Sequence, residues 1–173
     1  LLVLVAAGSW SMNTGGSAPV TDREVREAIQ RGVQYLRREQ NESTGGWAEI
    51  SLEPYGVSSL ATLALLNAGV PVDDPMMLKA LAYLRKFERP RTIYSSALQT
   101  MVVCRATPQQ DRLQIVENVR WIESQQIVAG AKAGAWHYGQ RGGGGDPSNS
   151  QFALLALHEA ERIGAVIQPA IWE

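Results

Sequence analysis

The side chains able to do acid-base, nucleophilic or metal chemistry are few and far apart in this chain. His158-Glu159 begins like the His-Glu-x-x-His helix that grips zinc, but Arg162 stands where the second imidazole belongs. The single Cys104 lies among Met101, Val102 and Val103 and reads as a small buried hydrophobe. Asp73-Asp74, the acidic pair, precedes Pro75, which is the pattern of a helix cap followed by proline at the first helical position. His137 is the better candidate. It sits in the loop "GAWHYGQRGGGGDPSNSQF" near Tyr138, Asp146, Asn149 and Gln151, which together offer an imidazole, a phenol, a carboxylate and two amides. The competing reading is a solvated loop histidine, with Ser148 or Asn149 capping the next helix. The glycine run 142–145 lacks the Lys-Ser/Thr ending of a phosphate loop and follows no strand, so it reads as flexible linkage. No catalytic, cofactor-binding or metal-ligating residue is assigned.

The elements that must position these groups are helical. The 173 residues, 45% apolar, 19% charged and with net charge −1, suit one globular domain with a sizeable core. Lys and Arg are scattered, with no basic stripe for a phosphate backbone, which argues against nucleic acid as a partner. The opening "LLVLVAAG" has the apolar run and small-residue end of a truncated signal peptide, so residues 1–18 read as signal and linker of an exported protein, periplasmic or in the cell envelope. Eight apolar residues are too few to cross a bilayer, so no transmembrane span is expected in the mature chain.

From residue 19 onward helical segments alternate with Gly- or Pro-marked breaks. Thr21 and Glu24 form a capping box for a helix to about Glu39, with Val25, Ile29, Val33 and Leu36 as its buried face. The segment 57–68 is apolar nearly all round, as a helix buried on every side would be. The pair then repeats. Asp74 and Pro75 start a second outer helix whose inner partner is 94–105. Thr107 and Pro108 start a third, with 149–163 inside. Tyr35-Leu36, Tyr83-Leu84 and Trp121-Ile122 are matching aromatic-aliphatic pairs. Ala61, Leu63, Ala64, Leu65 and Ala68 match Ala153, Leu155, Ala156, Leu157 and Ala160. The repeats run at about 20–70, 71–106 and 107–166, and a fourth begins at 167–173.

One further pattern recurs. Arg31, Gly32, Tyr35 and Leu36 are followed by Gln40, Gly45, Gly46 and Trp47, and Trp121-Ile122 by Gln126, Gly134 and Trp136. The middle repeat has neither the Gln nor the Trp in these places. This arrangement resembles the QW motif of terpenoid cyclases, including the squalene cyclase type, and of protein prenyltransferase β subunits. The resemblance covers about residues 22–173 and implies an all-α fold, a partial α/α toroid of consecutive antiparallel hairpins with inner and outer helix layers. It implies that Gln satisfies backbone groups at a helix end while Trp packs over it, clamping neighbouring hairpins. A complete toroid of the family has about twice as many hairpins, so the chain reads as a fragment. It resembles the front of large exported bacterial proteins.

The same resemblance makes the loop of His137, Tyr138, Asp146, Asn149 and Gln151 the mouth of the toroid cavity, where enzymes of the family place their chemistry. The family's acid, a protonated carboxyl in an Asp-x-Asp-Asp run, has no counterpart here, nor does its Asp, Cys and His zinc set. Three classes of function follow. The first is a noncatalytic toroid module with a binding or scaffold role, its partner a protein or an apolar small molecule. The second is a cyclase or prenyltransferase-like enzyme with its catalytic motif further along the chain. The third is an open peptide-binding solenoid, such as a tetratricopeptide array, which the Gln/Gly/Trp set disfavours.

Overall fold

The computed structural model describes residues 20–86, 92–138 and 144–173, and everything said of the structure concerns these. The signal-like segment and Gly142 and Gly143 lie outside them. The described residues are all-helical: α1 (Asp22–Glu39), α2 (Gly56–Asn67), α3 (Pro75–Arg85), α4 (Ile93–Ala106), α5 (Arg112–Ser124) and α6 (Pro147–Arg162), then a short 3₁₀ turn at Pro169–Ile171. No helix among them is long and apolar enough to cross a membrane.

The even-numbered helices pack side by side with α4 in the middle, α3 lies against α2, and α5 lies against α4 and α6. The central position decides which helix is buried all round. Eleven residues of α4 are buried, from Ile93 to Cys104. The segment 57–68, expected to be buried on every side, is not: Leu60 on α2 faces solvent, as do Leu154 and Leu155 on α6, whereas α4 between them is buried nearly all round. Two apolar clusters result. Trp47, Leu65, Met77, Leu81 and Leu84 centre the first, and Ile115, Ile122, Trp136, Ala156 and Leu157 the second.

Capping chemistry sets most helix starts. Thr21 and Glu24 make the reciprocal box of α1, and Asp74 accepts the Met76 N–H at 2.8 Å ahead of Pro75. Two expectations need correction. The third odd-numbered helix begins at Arg112, one turn beyond Pro108, because the Thr107 hydroxyl is turned to the Asp111 carboxylate and leaves the first N–H groups to a separate turn. The Val25/Ile29/Val33/Leu36 face of α1 is not buried: no residue of α1 is, Val25 and Ile29 are exposed, and only Val33 and Leu36 touch the first cluster.

One linkage recurs between successive odd-numbered helices, at the residue after each aromatic-aliphatic pair. Arg37 makes a two-pronged ion pair with Asp74 at 2.9 and 3.2 Å, and Arg85 one with Asp111 at 2.8 and 2.9 Å. Glu123 takes that place in the third repeat and accepts from the Gln168 N–H at 2.7 Å and its amide at 3.1 Å, so the polarity is reversed and the join kept.

Burial pushes the Asp111 carboxyl up, but the hydrogen bonds from Arg85 and Thr107 outweigh it and hold the group below the usual carboxylate range. A depressed folded-state value contributes stability that is complete above the unfolded value of about 3.9 and is lost as pH falls through the folded one. Urea unfolding followed across acid pH should therefore show stability falling below about pH 4. Asp111→Asn should lower stability at pH 7 and flatten that acid loss; an unchanged slope would show that the pair does not govern it.

Candidate functional site

The Gln and Trp side chains are used on backbone groups in the same way twice. Gln40 Nε2 donates to the Gly45 carbonyl at 2.8 Å and to the Met76 carbonyl at 3.0 Å, tying the end of α1 to its own loop and to the first turn of α3. Gln126 Nε2 donates to Gly134 at 3.1 Å and to Ile171 at 3.3 Å, the corresponding loop and the next helical turn. Trp47 Nε1 donates to the Leu36 carbonyl at 2.9 Å, and Trp136 Nε1 to that of Ile122 at 2.7 Å. These are helix-end carbonyls that also accept the Gln40 and Gln125 backbone N–H, each at 3.1 Å, so the indole is a second donor from outside the helix. Each Trp backbone N–H in turn donates to a serine on the following helix, Ser58 at 2.9 Å and Ser150 at 3.0 Å.

The glycines explain how the loop fits. Gly45 has φ +84°, where glycine is at ease, and a methyl there would lie 2.4 Å from the Lys79 carbonyl oxygen. At Gly46 a methyl would meet the Tyr83 ring at 2.5 Å. The loop therefore lies flush on α3.

The middle repeat solves the same problem from another position. Leu84 corresponds to Leu36 and Ile122, and its carbonyl accepts from Gln99 Nε2 at 2.9 Å. Gln99 sits on α4 where α2 and α6 carry Ala61 and Ala153. It is buried, and its oxygen accepts from Asn118 at 3.2 Å. Sequence reading missed it because the donor moved from the loop to the helix. Ser96, the counterpart of Ser58 and Ser150, has a buried hydroxyl with no hydrogen-bond partner among the described residues.

The histidine loop leads into α6. The Asp146 N–H donates to the Trp136 carbonyl at 2.7 Å, which brings the loop's two ends together. Asp146, not Ser148 or Asn149, caps the helix: its Oδ1 accepts from the Asn149 backbone at 2.8 Å, the Asn149 amide at 3.1 Å and the Ser148 hydroxyl at 2.6 Å. The carboxylate wins because it can accept several bonds at once. Asn149 is consequently buried. Tyr138 lies 3.4 Å from Ser148 and stacks at 5.6 Å on Tyr94, which meets Phe152 at 4.8 Å. His137 is half-buried. Gln151 is not part of this group. It faces an open groove of about 720 Å³ on the flank of α6, beside Leu154, Leu155 and His158.

A glutamate also stands at the head of each of the other two even-numbered helices, and at α4 it backs Thr92, whose hydroxyl accepts the Ser95 N–H at 3.2 Å. Glu49 accepts the Val57 and Ser58 N–H groups at 3.0 and 3.2 Å at the head of α2, where Tyr55 takes φ 63°. Glu53 accepts from the Thr92 and Ser95 hydroxyls at the head of α4. Acidic side chains at helix N-termini are stabilised by the exposed N–H groups and the helix dipole. Neither glutamate stood out in the sequence, because Glu49 lies eight residues before the N–H it accepts and Glu53 thirty-nine residues before Thr92.

The electrostatics fit capping. The Ser148 hydroxyl and the Asn149 N–H hold the Asp146 carboxyl below its ordinary range, so it stays ionised. A general acid requires the opposite shift. Burial pushes the Cys104 thiol up to about 12, with Glu159 adding to the effect, so the thiolate that would bind metal is suppressed. Glu159 is paired with Arg162 at 3.0 Å. Among the described residues no three His, Cys, Asp or Glu side chains are grouped to hold a metal ion. No family model, curated protein or solved structure matches the chain.

Proposed function

We propose that the chain is a noncatalytic helical-repeat module of an exported protein, part of an α/α toroid of the terpenoid cyclase and prenyltransferase type, with a binding or scaffold role. The repeat reading is supported by the equivalent bonds of Gln40 and Gln126, of Trp47 and Trp136, and of Arg37, Arg85 and Glu123. Export is supported by the opening "LLVLVAAG" alone. One observation carries the noncatalytic role: the carboxylates Glu49, Glu53 and Asp146, at the heads of the three even-numbered helices, are all engaged in hydrogen bonds to helix-start N–H or hydroxyl groups. Asp146 in particular is held ionised by the Ser148 hydroxyl and the Asn149 N–H and is a poor proton donor. The aromatic group Tyr94, Tyr138 and Phe152 beside them suits contact with a protein or an apolar small molecule.

The test is His137→Ala in the whole chain, with unfolding and zinc content measured together. The expected result is a stability change within about 0.5 kcal/mol and no difference in bound zinc. If the parent chain holds stoichiometric zinc that the variant loses, the loop is a metal centre and the noncatalytic reading fails.

A further inference from the structure

The loop that follows α1 turns one side to the core and the other to solvent. Gln40, Gly45, Gly46 and Trp47 hold it from behind against the end of α1 and the flank of α3, while residues 41–44 are all exposed. Within that exposed stretch Asn41-Glu42-Ser43 is the only Asn-x-Ser/Thr in the sequence, the acceptor pattern for N-linked sugar on a surface loop of an exported protein. Glu39, two residues before Asn41, adds the acidic residue that bacterial transferases of this type favour.

The geometry divides the Asn41 side chain into a used half and a free half. Its Oδ1 accepts from the Ser43 N–H at 3.0 Å, the Ser43 hydroxyl at 2.7 Å and the Thr44 N–H at 2.9 Å, which makes an Asx turn. Its backbone is fixed as well: the Asn41 N–H donates to the Gly46 carbonyl and the Asn41 carbonyl accepts the Gly45 N–H, both at 2.8 Å. A side-chain amide has two N–H donors besides its oxygen, and here Nδ2 has no hydrogen-bond partner among the described residues. Replacing one Nδ2 hydrogen by a sugar therefore leaves Oδ1 and its three bonds in place. The turn also sets the Ser43 hydroxyl on the amide that would react, so both parts of the acceptor sequence are presented together.

We propose that Asn41 is a glycosylation site, its amide nitrogen taking sugar from a lipid-linked sugar phosphate outside the cytoplasmic membrane. The new bond joins Nδ2 to the anomeric carbon. The bond from that carbon to the donor's phosphate breaks, the phosphate leaves with the electron pair, and one Nδ2 proton passes to a base of the transferring enzyme. The proposal rests on the export reading, because the donor and the transferase act on exported chains.

The test takes the full protein from the cells that make it, fractionates them, and reads the proteolytic peptide spanning Asn41 by mass spectrometry. The expected peptide is heavier by whole sugar residues, with fragment ions that place them on Asn41. Asn41→Gln and Ser43→Ala should both give the bare peptide, and Ser43→Thr, which keeps the hydroxyl, should retain the sugar. Circular dichroism checks that each variant is folded. A bare Asn41 in chain recovered outside the cytoplasmic membrane overturns the proposal and leaves the export reading standing. Sugar that persists in Ser43→Ala overturns it equally, and chain found only in the cytosol with Asn41 bare overturns both.

Discussion

Trp136→Ala is expected to destabilise the protein by about 4 kcal/mol, the largest effect of any single truncation considered for this chain. Trp136 is fully enclosed in the second apolar cluster, against residues of α5 and α6, so the variant leaves a void the size of an indole. The void is walled by packed helices that cannot close over it without shifting. The variant also strips the Ile122 carbonyl of its indole donor. Chemical denaturation at neutral pH measures the loss. A loss below about 1 kcal/mol would mean that the loop does not hold α5 to α6.

Gly45→Ala should cost about 3 kcal/mol, and Gly134→Ala only about 1 kcal/mol, although the two residues have φ values of +84° and +85° and equivalent places in the repeat. The left-handed conformation penalises both equally. What separates them is space. A methyl at Gly45 meets the Lys79 carbonyl oxygen at 2.4 Å, a backbone atom of α3 that cannot swing aside, while at Gly134 nothing lies within 4 Å. The same denaturation experiment run on both variants isolates the steric part as their difference. Equal losses would show that the loop of the first repeat is not seated on α3.

The helices were legible because their signals are local. Thr21 with Glu24, and Asp74 before Pro75, cap helices where the sequence puts them, since a cap depends on residues within one turn. The face of α1 could not be read that way. Its period marks Val25, Ile29, Val33 and Leu36 as a packing surface, but burial also needs a neighbour, and the periodicity of one helix does not reveal whether another reaches it. Gln99 was hidden for a related reason: the carbonyl it serves lies fifteen residues earlier, on another helix. In the histidine loop residue types alone do not say which side chains meet. Asp146 and Asn149 come together through a cap, and Gln151 points to the groove on the other flank.

The central claim is that one helix-end carbonyl in each repeat accepts from one inserted side chain: Leu36 from Trp47, Leu84 from Gln99 and Ile122 from Trp136. The most direct test removes the three donors singly with as little loss of volume as possible, as Trp47→Phe, Gln99→Leu and Trp136→Phe, and measures unfolding free energy by denaturation. Each variant removes a side-chain donor from its carbonyl and should lose about 1 kcal/mol, the net worth of one hydrogen bond. Trp47 and Trp136 lie in separate clusters, so the losses of those two should add in the double variant. Losses confined to one repeat, or near zero in all three, would contradict the claim that the repeats share this join.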